Sequence, residues 1–350
     1  MQQVVYDSSI NPVLADKLKV LHPYLMEEAN ELCINNVCEI AFDKGNHWEY
    51  LQDTRLTAHF LDDFLVQLAT RRGQRFNEKY PHLSCELPLP YGRYRLQAQH
   101  KTTLFNSEVA ICIRIPNKKK FELESFELSQ KVIQKGWTYE KIRELIKDKK
   151  NVLVSGGTGS GKTSFLNSLM NELDPEERVI TIEDSQELNL EHIKNKLQLA
   201  VPKVESEMYG YREAINNSLR LRPDRLFLGE IDIRNTFTFL RVNNTGHEGN
   251  LSTLHANNPQ DAIKAIITNV IIGGSLQNPD KAMLMELITT AIDYIIQIAR
   301  VKEKRVITDI YYLKESLKTI EAGHLSREVI RHFETIRMIL EQEKQEKTEL

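Results

Sequence analysis

The stretch of sequence that most constrains the fold is a short apolar run that leads into a glycine-rich loop. Val152–Val154 precedes Gly156–Thr163, which reads Gly-Gly-Thr-Gly-Ser-Gly-Lys-Thr. Glycines let the backbone curl so that several N–H groups point at one phosphate, which side chains at those positions would block. A helix that begins after the loop adds its N-terminal dipole. This strand, loop and helix pattern predicts a phosphate-binding loop in an α/β domain.

The loop residues also predict how a nucleoside triphosphate would be held. The residues expected around the phosphates are Gly157, Thr158, Gly159, Ser160, Gly161, Lys162, Thr163 and Ser164. The Lys162 ammonium is expected to reach the β- and γ-phosphates, and the Thr163 hydroxyl is expected to bind Mg²⁺. The alternative is a glycine-rich turn without a ligand, which is disfavoured because every fixed position of the pattern is present. We therefore expect ATP and Mg²⁺ as cofactors.

Length and charge exclude some classes of protein. A chain of 350 residues can form two domains with separate cores, and its net charge of −3 argues against a surface that grips nucleic acid throughout. The sequence predicts neither a signal peptide nor a membrane-spanning segment. Cys33, Cys38, Cys85 and Cys112 have no close pairwise spacing, so we interpret them as reduced thiols and expect neither a disulfide framework nor a zinc site. Together with ATP as ligand, these observations predict a cytoplasmic location.

The apolar pattern predicts a smaller α+β domain over residues 1–116, a polar linker over 117–136, and a second domain over 137–350. The first domain is expected to hold a hairpin of Val37–Phe42 and His47–Leu51, a helix over Leu56–Leu68, and strands at Tyr94–Gln99 and Val109–Ile115. In the second domain, short apolar runs separated by helical segments predict parallel strands of a doubly wound core. These runs are Val152–Val154, Val179–Ile182, Leu226–Leu228 and Leu251–Leu254.

The rest of the second domain is predicted from weaker signals. Residues 256–299 have mainly helical periodicity, and Val306–Tyr312 suggests a further strand or hairpin. The charged tail from Ser326 is expected to form a helix with one apolar stripe. The stripe contains Val329, Ile330, Phe333, Ile336 and Leu340.

Polar side chains follow the predicted strands at the edge where an α/β sheet binds its ligand. Glu230 is expected to support Mg²⁺ through water, and Glu183 to orient the attacking water. His255 suits a sensor of the γ-phosphate because imidazole can donate a hydrogen bond to a phosphate oxygen. The catalytic candidates are therefore Lys162, Glu183, Glu230 and His255, each with the simpler alternative of a structural or solvated side chain.

Arginines supply further candidate cations. Arg220, Arg222 and Arg225 surround Pro223-Asp224, and they are equally compatible with an arginine finger and with a salt-bridged interface. Arg95 and Arg114 lie in predicted strands of the first domain and are candidates to contact a nucleotide held between domains. His247 is open to both a structural and a functional interpretation.

Taken together, the motifs resemble those of the secretion-system traffic ATPases (GspE/PulE-like secretion ATPases), most closely the VirB-eleven type of type IV secretion. The resemblance rests on the glycine-rich loop and on four further motifs. They are Ile113-Arg114-Ile115-Pro116, Ile182-Glu183-Asp184, Leu221–Glu230 with Gly229 in place of the usual Walker B aspartate, and Thr245–Ala256. One departure is Asp232, which stands where the family usually has arginine, with Arg234 two residues later.

The resemblance implies a RecA-like P-loop NTPase domain preceded by the smaller α+β domain, in a homohexameric ring. Nucleotide would bind between the domains, with Arg114 and less surely Arg95 contacting phosphate. The chain would be a motor that energises substrate transport or pilus assembly, peripheral at the bacterial inner membrane. Implied partners are inner-membrane secretion-channel components, coupling ATPases and a secreted protein or DNA.

Two alternative functions stay open. A type II secretion, type IV pilus or competence ATPase is disfavoured because the four-cysteine zinc module of many type II enzymes has no counterpart in the sequence. A RecA-like nucleic-acid motor would need a basic or aromatic strand-binding channel, and no such stretch is evident.

Overall fold

The structure is a computed structural model that describes residues 10–45, 47–116, 120–202, 209–273 and 281–314, together with Thr335. The chain divides into two compact units, residues 1–119 and residues 120–350. Among the described residues, no helix combines the length and the apolar character that crossing a bilayer requires.

The first unit is a six-stranded antiparallel sheet with two helices packed against it. Its elements are α1 (Pro12–Leu25), β1 (Glu31–Ile34), β2 (Glu39–Asp43), β3 (Trp48–Gln52), α2 (Ala58–Arg71), β4 (His82–Glu86), β5 (Arg95–His100) and β6 (Val109–Arg114). The sheet order is β3-β2-β1-β6-β5-β4. Each helix has a polar N-cap: Asn11 Oδ1 accepts the Leu14 N–H at 2.8 Å, and the Thr57 hydroxyl accepts the Phe60 N–H at 3.2 Å.

Alternation along the strands places the core of this unit between the sheet and the helices. Leu32 and Ile34 of β1 are buried in that core, whereas Glu31 and Cys33 face the opposite side of the sheet. The predicted hairpin and helix are confirmed by β2, β3 and α2, and the two later predicted strands are confirmed by β5 and β6. Helix α1 and strands β1 and β4 are additional elements.

The second unit alternates strands and helices. Its elements are β7 (Phe126–Leu128), α3 (Gln130–Gln134), α4 (Tyr139–Lys147), β8 (Val152–Gly156), α5 (Lys162–Met170), β9 (Arg178–Glu183), β10 (Asn195–Ala200), α6 (Tyr211–Ser218), β11 (Arg225–Leu228), α7 (Thr236–Asn243), β12 (Leu251–His255), α8 (Pro259–Ile272), α9 (Lys281–Ala291), β13 (Tyr294–Val301) and β14 (Lys304–Tyr312). One parallel sheet has the order β10-β9-β11, and a mixed sheet has the order β12-β8-β13-β14-β7. The predicted fold class, a RecA-like α/β domain after a smaller α+β unit, is confirmed.

The two sheets of the second unit meet where β11 lies beside β12. Asn250 Oδ1 accepts the Leu226 N–H at 2.8 Å, and the Thr253 carbonyl accepts the Ile231 N–H at 2.8 Å. The Thr253 hydroxyl also donates to the Gly229 carbonyl at 2.9 Å. Because β8, β9, β11 and β12 run parallel to their paired neighbours, these contacts gather their carboxyl ends at one edge.

The structure differs from the prediction in the linker. Phe126 is buried and begins β7, which pairs in parallel with β14, and α3 follows directly. Lys131 and Lys135 lie in the segment that was predicted to be a polar linker. Their Nζ atoms form ion pairs with the Asp309 carboxylate at 2.5 and 2.6 Å. The predicted linker over residues 117–136 is therefore wrong from Leu123 onward, because this segment supplies the edge strand of the mixed sheet.

The prediction of a mainly helical segment over residues 256–299 is also wrong at its end. Ile295–Ile298 lies in β13, buried between β8 and β14. A fully buried strand is a continuous apolar run, which periodicity alone does not separate from a buried helix. The predicted strand over Val306–Tyr312 is confirmed as the second arm of the β13–β14 hairpin, and the predicted tail helix lies outside the described residues.

Candidate functional site

The glycine-rich loop joins β8 to α5 in the conformation that a phosphate cradle requires. Gly159 and Gly161 have φ values of 72° and 93°, in the left-handed region that favours glycine. Gly161 is the N-cap of α5 and offers no side-chain acceptor, so the first-turn N–H groups are available to an anion. Ser160 Oγ is buried without a hydrogen-bond partner among the described residues. These features fit a bound triphosphate, with Thr163 and Ser164 in the first turn of the helix.

Lys162 projects from this loop into a buried position. The residue is 7% exposed, and the ammonium donates to the Gly157 carbonyl at 3.2 Å. Nζ also lies 3.0 Å from His255 Nδ1, which comes from the end of β12. Burial lowers the pKa of Lys162 below its ordinary value, while the charges of Glu230 and Glu187 oppose that shift.

His255 links Lys162 to Glu230. Its Nε2 lies 3.2 Å from Glu230 Oε1, so a neutral ring can accept from Lys162 at Nδ1 and donate to Glu230 from Nε2. Burial and the neighbouring Lys162 charge lower the pKa of His255, which favours that neutral form. Burial raises the pKa of Glu230, and the Lys162 charge lowers it. The structure thus brings together three of the four predicted catalytic residues from three different elements.

Glu183, the fourth candidate, anchors a loop next to this group. It is buried at the end of β9, and its Oε1 accepts the N–H groups of Glu187 at 2.8 Å and Leu188 at 3.0 Å. A Cβ built on Gly229 would lie 3.1 Å from Glu183 Cγ. The space that a Walker B side chain would occupy is therefore filled by Glu183, which explains the glycine at position 229.

The structure separates the arginines around Pro223 into different roles. Arg225 is buried and forms two hydrogen bonds with Glu177, Nε to Oε2 at 2.6 Å and Nη2 to Oε1 at 3.2 Å. Arg225 therefore pairs with a carboxylate of its own chain, and the arginine-finger and salt-bridged-interface interpretations of these arginines stay predictions. Arg220 and Arg222 are exposed.

Asp232 and Arg234 form an ion pair at the start of the segment that leads into α7. The Arg234 Nη2 lies 2.6 Å from Asp232 Oδ2 and 3.3 Å from Asp184 Oδ2, and its guanidinium stacks 4.8 Å from the Tyr211 ring centroid. The charge reversal at position 232 is thus accompanied by an arginine that two carboxylates hold in place.

Arg305 is a residue at the loop that sequence reasoning missed. A Cβ built on Gly161 would lie 2.7 Å from Arg305 Nε, so this β14 side chain lies against the cradle. Its guanidinium stacks 4.2 Å from the Phe121 ring centroid, and burial lowers its pKa below the ordinary value. No local motif marks this arginine, because its position depends on the pairing of the β13–β14 hairpin with β8.

The three remaining candidates are described within their own units. Arg95 and Arg114 face each other across β5 and β6 in the first unit, where Arg114 is exposed. His247 Nδ1 lies 3.5 Å from the Thr245 hydroxyl. The predicted contacts of Arg95 and Arg114 with phosphate stay predictions.

The site defines a P-loop NTPase. It consists of a strand, a glycine-rich loop and a helix, and a buried lysine contacts side chains from the ends of neighbouring strands. The chain belongs to the Type II/IV secretion system protein family, whose model matches residues 86–346, and it is a secretion ATPase. The family predicted from the sequence is confirmed.

Individual relatives agree with this family. The type IV secretion system protein VirB11 of Bartonella henselae is 26% identical over 350 residues, covering 89% of this chain and 96% of the relative. The fold is similar to that of the ATPase DotB of Legionella pneumophila, with a TM-score of 0.62, 19% identity, and coverage of 95% of this chain and 90% of DotB. It is also similar to the pilus retraction motor PilT bound to ADP, with a TM-score of 0.62, 20% identity, and coverage of 87% and 88%.

Proposed function

We propose that this chain is an ATP-hydrolysing motor that energises substrate transport or pilus assembly in a type IV secretion system. The observation that carries the proposal is the contact chain from Lys162 through His255 to Glu230, at 3.0 and 3.2 Å. A cation from the loop, a neutral imidazole and a carboxylate meet at the sheet edge where α/β proteins bind ligands. Similarity to VirB11 over most of both chains supports the assignment to type IV secretion.

Each residue has a proposed task in this reaction. The backbone of Gly157–Ser164 holds the phosphates, with Lys162 neutralising their charge, while Thr163 and Glu230 hold Mg²⁺, Glu230 through water. Mg²⁺ supplies further charge neutralisation when it is bound. His255 donates to the γ-phosphate and moves its hydrogen bond when that group leaves.

The remaining proposed roles concern groups outside the loop segment. Glu183 orients the attacking water with the oxygen that does not accept the Glu187 and Leu188 N–H groups. Arg114, and less surely Arg95, contact phosphate from the first unit.

The assembly that we propose is a homohexamer in the cytoplasm, peripheral at the bacterial inner membrane. Its partners are inner-membrane secretion-channel components and coupling ATPases, and its substrate is a secreted protein or DNA. The names of the relatives support membership of such a system. Solution mass measured with a non-hydrolysable ATP analogue tests the ring, since a persistent monomer contradicts it.

The activity is tested with Lys162→Ala and a matched lysine control. Lys194 is an exposed lysine that pairs with Glu176, so Lys194→Ala removes one ammonium without touching the loop. We expect Lys162→Ala to abolish phosphate release in Mg²⁺-containing buffer and Lys194→Ala to retain it, because only Lys162 reaches the phosphates. Near-normal turnover by Lys162→Ala would contradict the proposed site.

A further inference from the structure

Two free cysteines lie side by side in the first unit. Cys33 of β1 is directly opposite Cys112 of β6, and their sulfur atoms are 3.5 Å apart. The Ile115 N–H donates to the Asn30 carbonyl, which makes that cross-strand pair a hydrogen-bonded one. Because the two kinds of pair alternate along an antiparallel ladder, Cys33 and Cys112 form a non-hydrogen-bonded pair. In such a pair the side chains approach most closely.

Glu31 places a carboxylate beside the two thiols. It lies two residues before Cys33 on β1 and therefore shares its face of the sheet. Glu31 Oε2 is 3.6 Å from Cys112 Sγ, and one ligand atom from each of the three residues lies within 4.8 Å of the others. All three side chains are half-buried, so they are shielded from bulk water and still accessible to an ion.

The spacing of these atoms matches a tetrahedral metal site. With Zn–S distances of about 2.3 Å and Zn–O distances of about 2.0 Å, two sulfurs of a tetrahedron are roughly 3.8 Å apart and a sulfur and an oxygen are roughly 3.5 Å apart. The observed separations are 3.5 Å between the sulfurs and 3.6 Å between Cys112 Sγ and Glu31 Oε2. All pairs of ligand atoms lie within 4.8 Å, so the third pair, Cys33 and Glu31, is also close.

We propose that Glu31, Cys33 and Cys112 bind a thiophilic divalent cation of the Zn²⁺ type, with a fourth position open to water. Both thiols lose their protons to solvent when the ion binds, so two thiolates, one carboxylate and the cation carry a net charge of −1. Arg114 lies directly opposite Glu31 and supplies a neighbouring positive charge. The ion would link β1 to β6 at Cys112, two residues before Arg114 on β6. The proposal does not depend on the ATPase assignment.

Cobalt is the probe for this site because its tetrahedral thiolate complexes absorb visible and near-ultraviolet light. We expect the reduced full-length chain to bind one Co²⁺ with a thiolate-to-cobalt charge-transfer band, and added Zn²⁺ to displace it. Cys33→Ser/Cys112→Ser removes the band, whereas Cys38→Ser/Cys85→Ser, which changes the other two cysteines, keeps it. Glu31→Gln keeps the thiolates and is expected to weaken Co²⁺ binding by about tenfold or more, the scale seen when a metal site loses a supporting group.

A second measurement needs no variant. In the wild-type chain, Zn²⁺ is expected to slow alkylation of Cys33 and Cys112 but not of Cys38 and Cys85, as mapped by peptide mass. The proposal is overturned if the reduced wild-type chain gives no charge-transfer band, or if the band survives Cys33→Ser/Cys112→Ser. It is also overturned if Zn²⁺ protects neither cysteine, or if the metal-treated pair is recovered as a disulfide and not as a metal complex.

Discussion

Replacing Gly229 by alanine tests whether Glu183 takes the place of the usual Walker B side chain. The new Cβ would lie 3.1 Å from Glu183 Cγ and 3.3 Å from Oε1, closer than the roughly 3.5–4.0 Å of ordinary contacts. Glu183 cannot withdraw freely, because its Oε1 accepts two backbone N–H groups at 2.8 and 3.0 Å. The substitution therefore either displaces the carboxylate or strains β11.

The expected cost follows from two opposing effects. Overpacking a rigid site costs about 1–3 kcal/mol. Replacing a glycine whose φ is compatible with alanine returns about 0.4–1 kcal/mol through the unfolded chain, and Gly229 has no left-handed φ. We expect Gly229→Ala to lower the free energy of unfolding of the second unit by about 1–2 kcal/mol on balance. ATP turnover should fall with it, because the Glu183 carboxylate moves.

A double-mutant cycle with Glu183→Ala isolates the contact. Urea unfolding of the second unit can be followed by Trp137, which packs against its core, in a Trp48→Phe background that removes the other tryptophan. Once the Glu183 side chain is gone, Gly229→Ala should be neutral or stabilising, so the coupling energy should be about 1–3 kcal/mol, the size of the overpacking cost alone. Costs that add to within about 0.5 kcal/mol would refute the packing argument.

Three further predictions concern single residues. Glu183→Gln keeps an oxygen that can accept both loop N–H groups but removes the negative charge. We therefore expect kcat, measured in the steady state, to fall more than nucleotide affinity, measured by direct binding. Equal losses in kcat and affinity would make Glu183 a binding group. Arg305 lies against Gly161 of the cradle, and we predict that its guanidinium donates to a bound phosphate. Because a charged hydrogen bond contributes about 1.5–3 kcal/mol, Arg305→Gln should weaken binding of a fluorescent ATP analogue by about tenfold or more. Unchanged affinity would leave Arg305 a packing residue. Hydrogen bonds from Arg55 hold the pKa of Asp53 below its unfolded value of 3.8, so the stability that Asp53 contributes is present above that pH and is lost as the pH falls. In urea unfolding, Asp53→Asn should therefore have a lower free energy of unfolding than the wild type at pH 7, and the difference should narrow below pH 3.8. A difference in free energy that stays constant with pH would contradict this prediction.

Local sequence predicted the parts of the site that parallel strands assemble automatically. Lys162, Glu230 and His255 each follow an apolar run, and parallel strands bring their carboxyl ends to one edge whatever the details of packing. The contact between Glu183 and Gly229 was not predictable, because it depends on where the Glu183 side chain lies against the backbone that follows the neighbouring strand β11. Arg305 was missed for the same reason, since only tertiary structure brings it to the loop.

The errors in the fold have an equally physical origin. The lysine run over residues 118–120 predicted a solvated connector that extends to about Lys135. Lys131 and Lys135 instead share a partner, Asp309, that lies far along the chain. The buried run of β13 lacks the period-two alternation that marks a half-exposed strand. In both cases the segment is stabilised by its contact with β14, and the hydrophobic pattern of the segment itself does not reveal that contact.

Strand β7 sits in register with β14 so that Phe126 is the backbone partner of Arg305. Arg305 in turn lies against Gly161, where the phosphate cradle becomes helix. The start of β7 is therefore connected to the glycine-rich loop through two residues, Phe126 and Arg305.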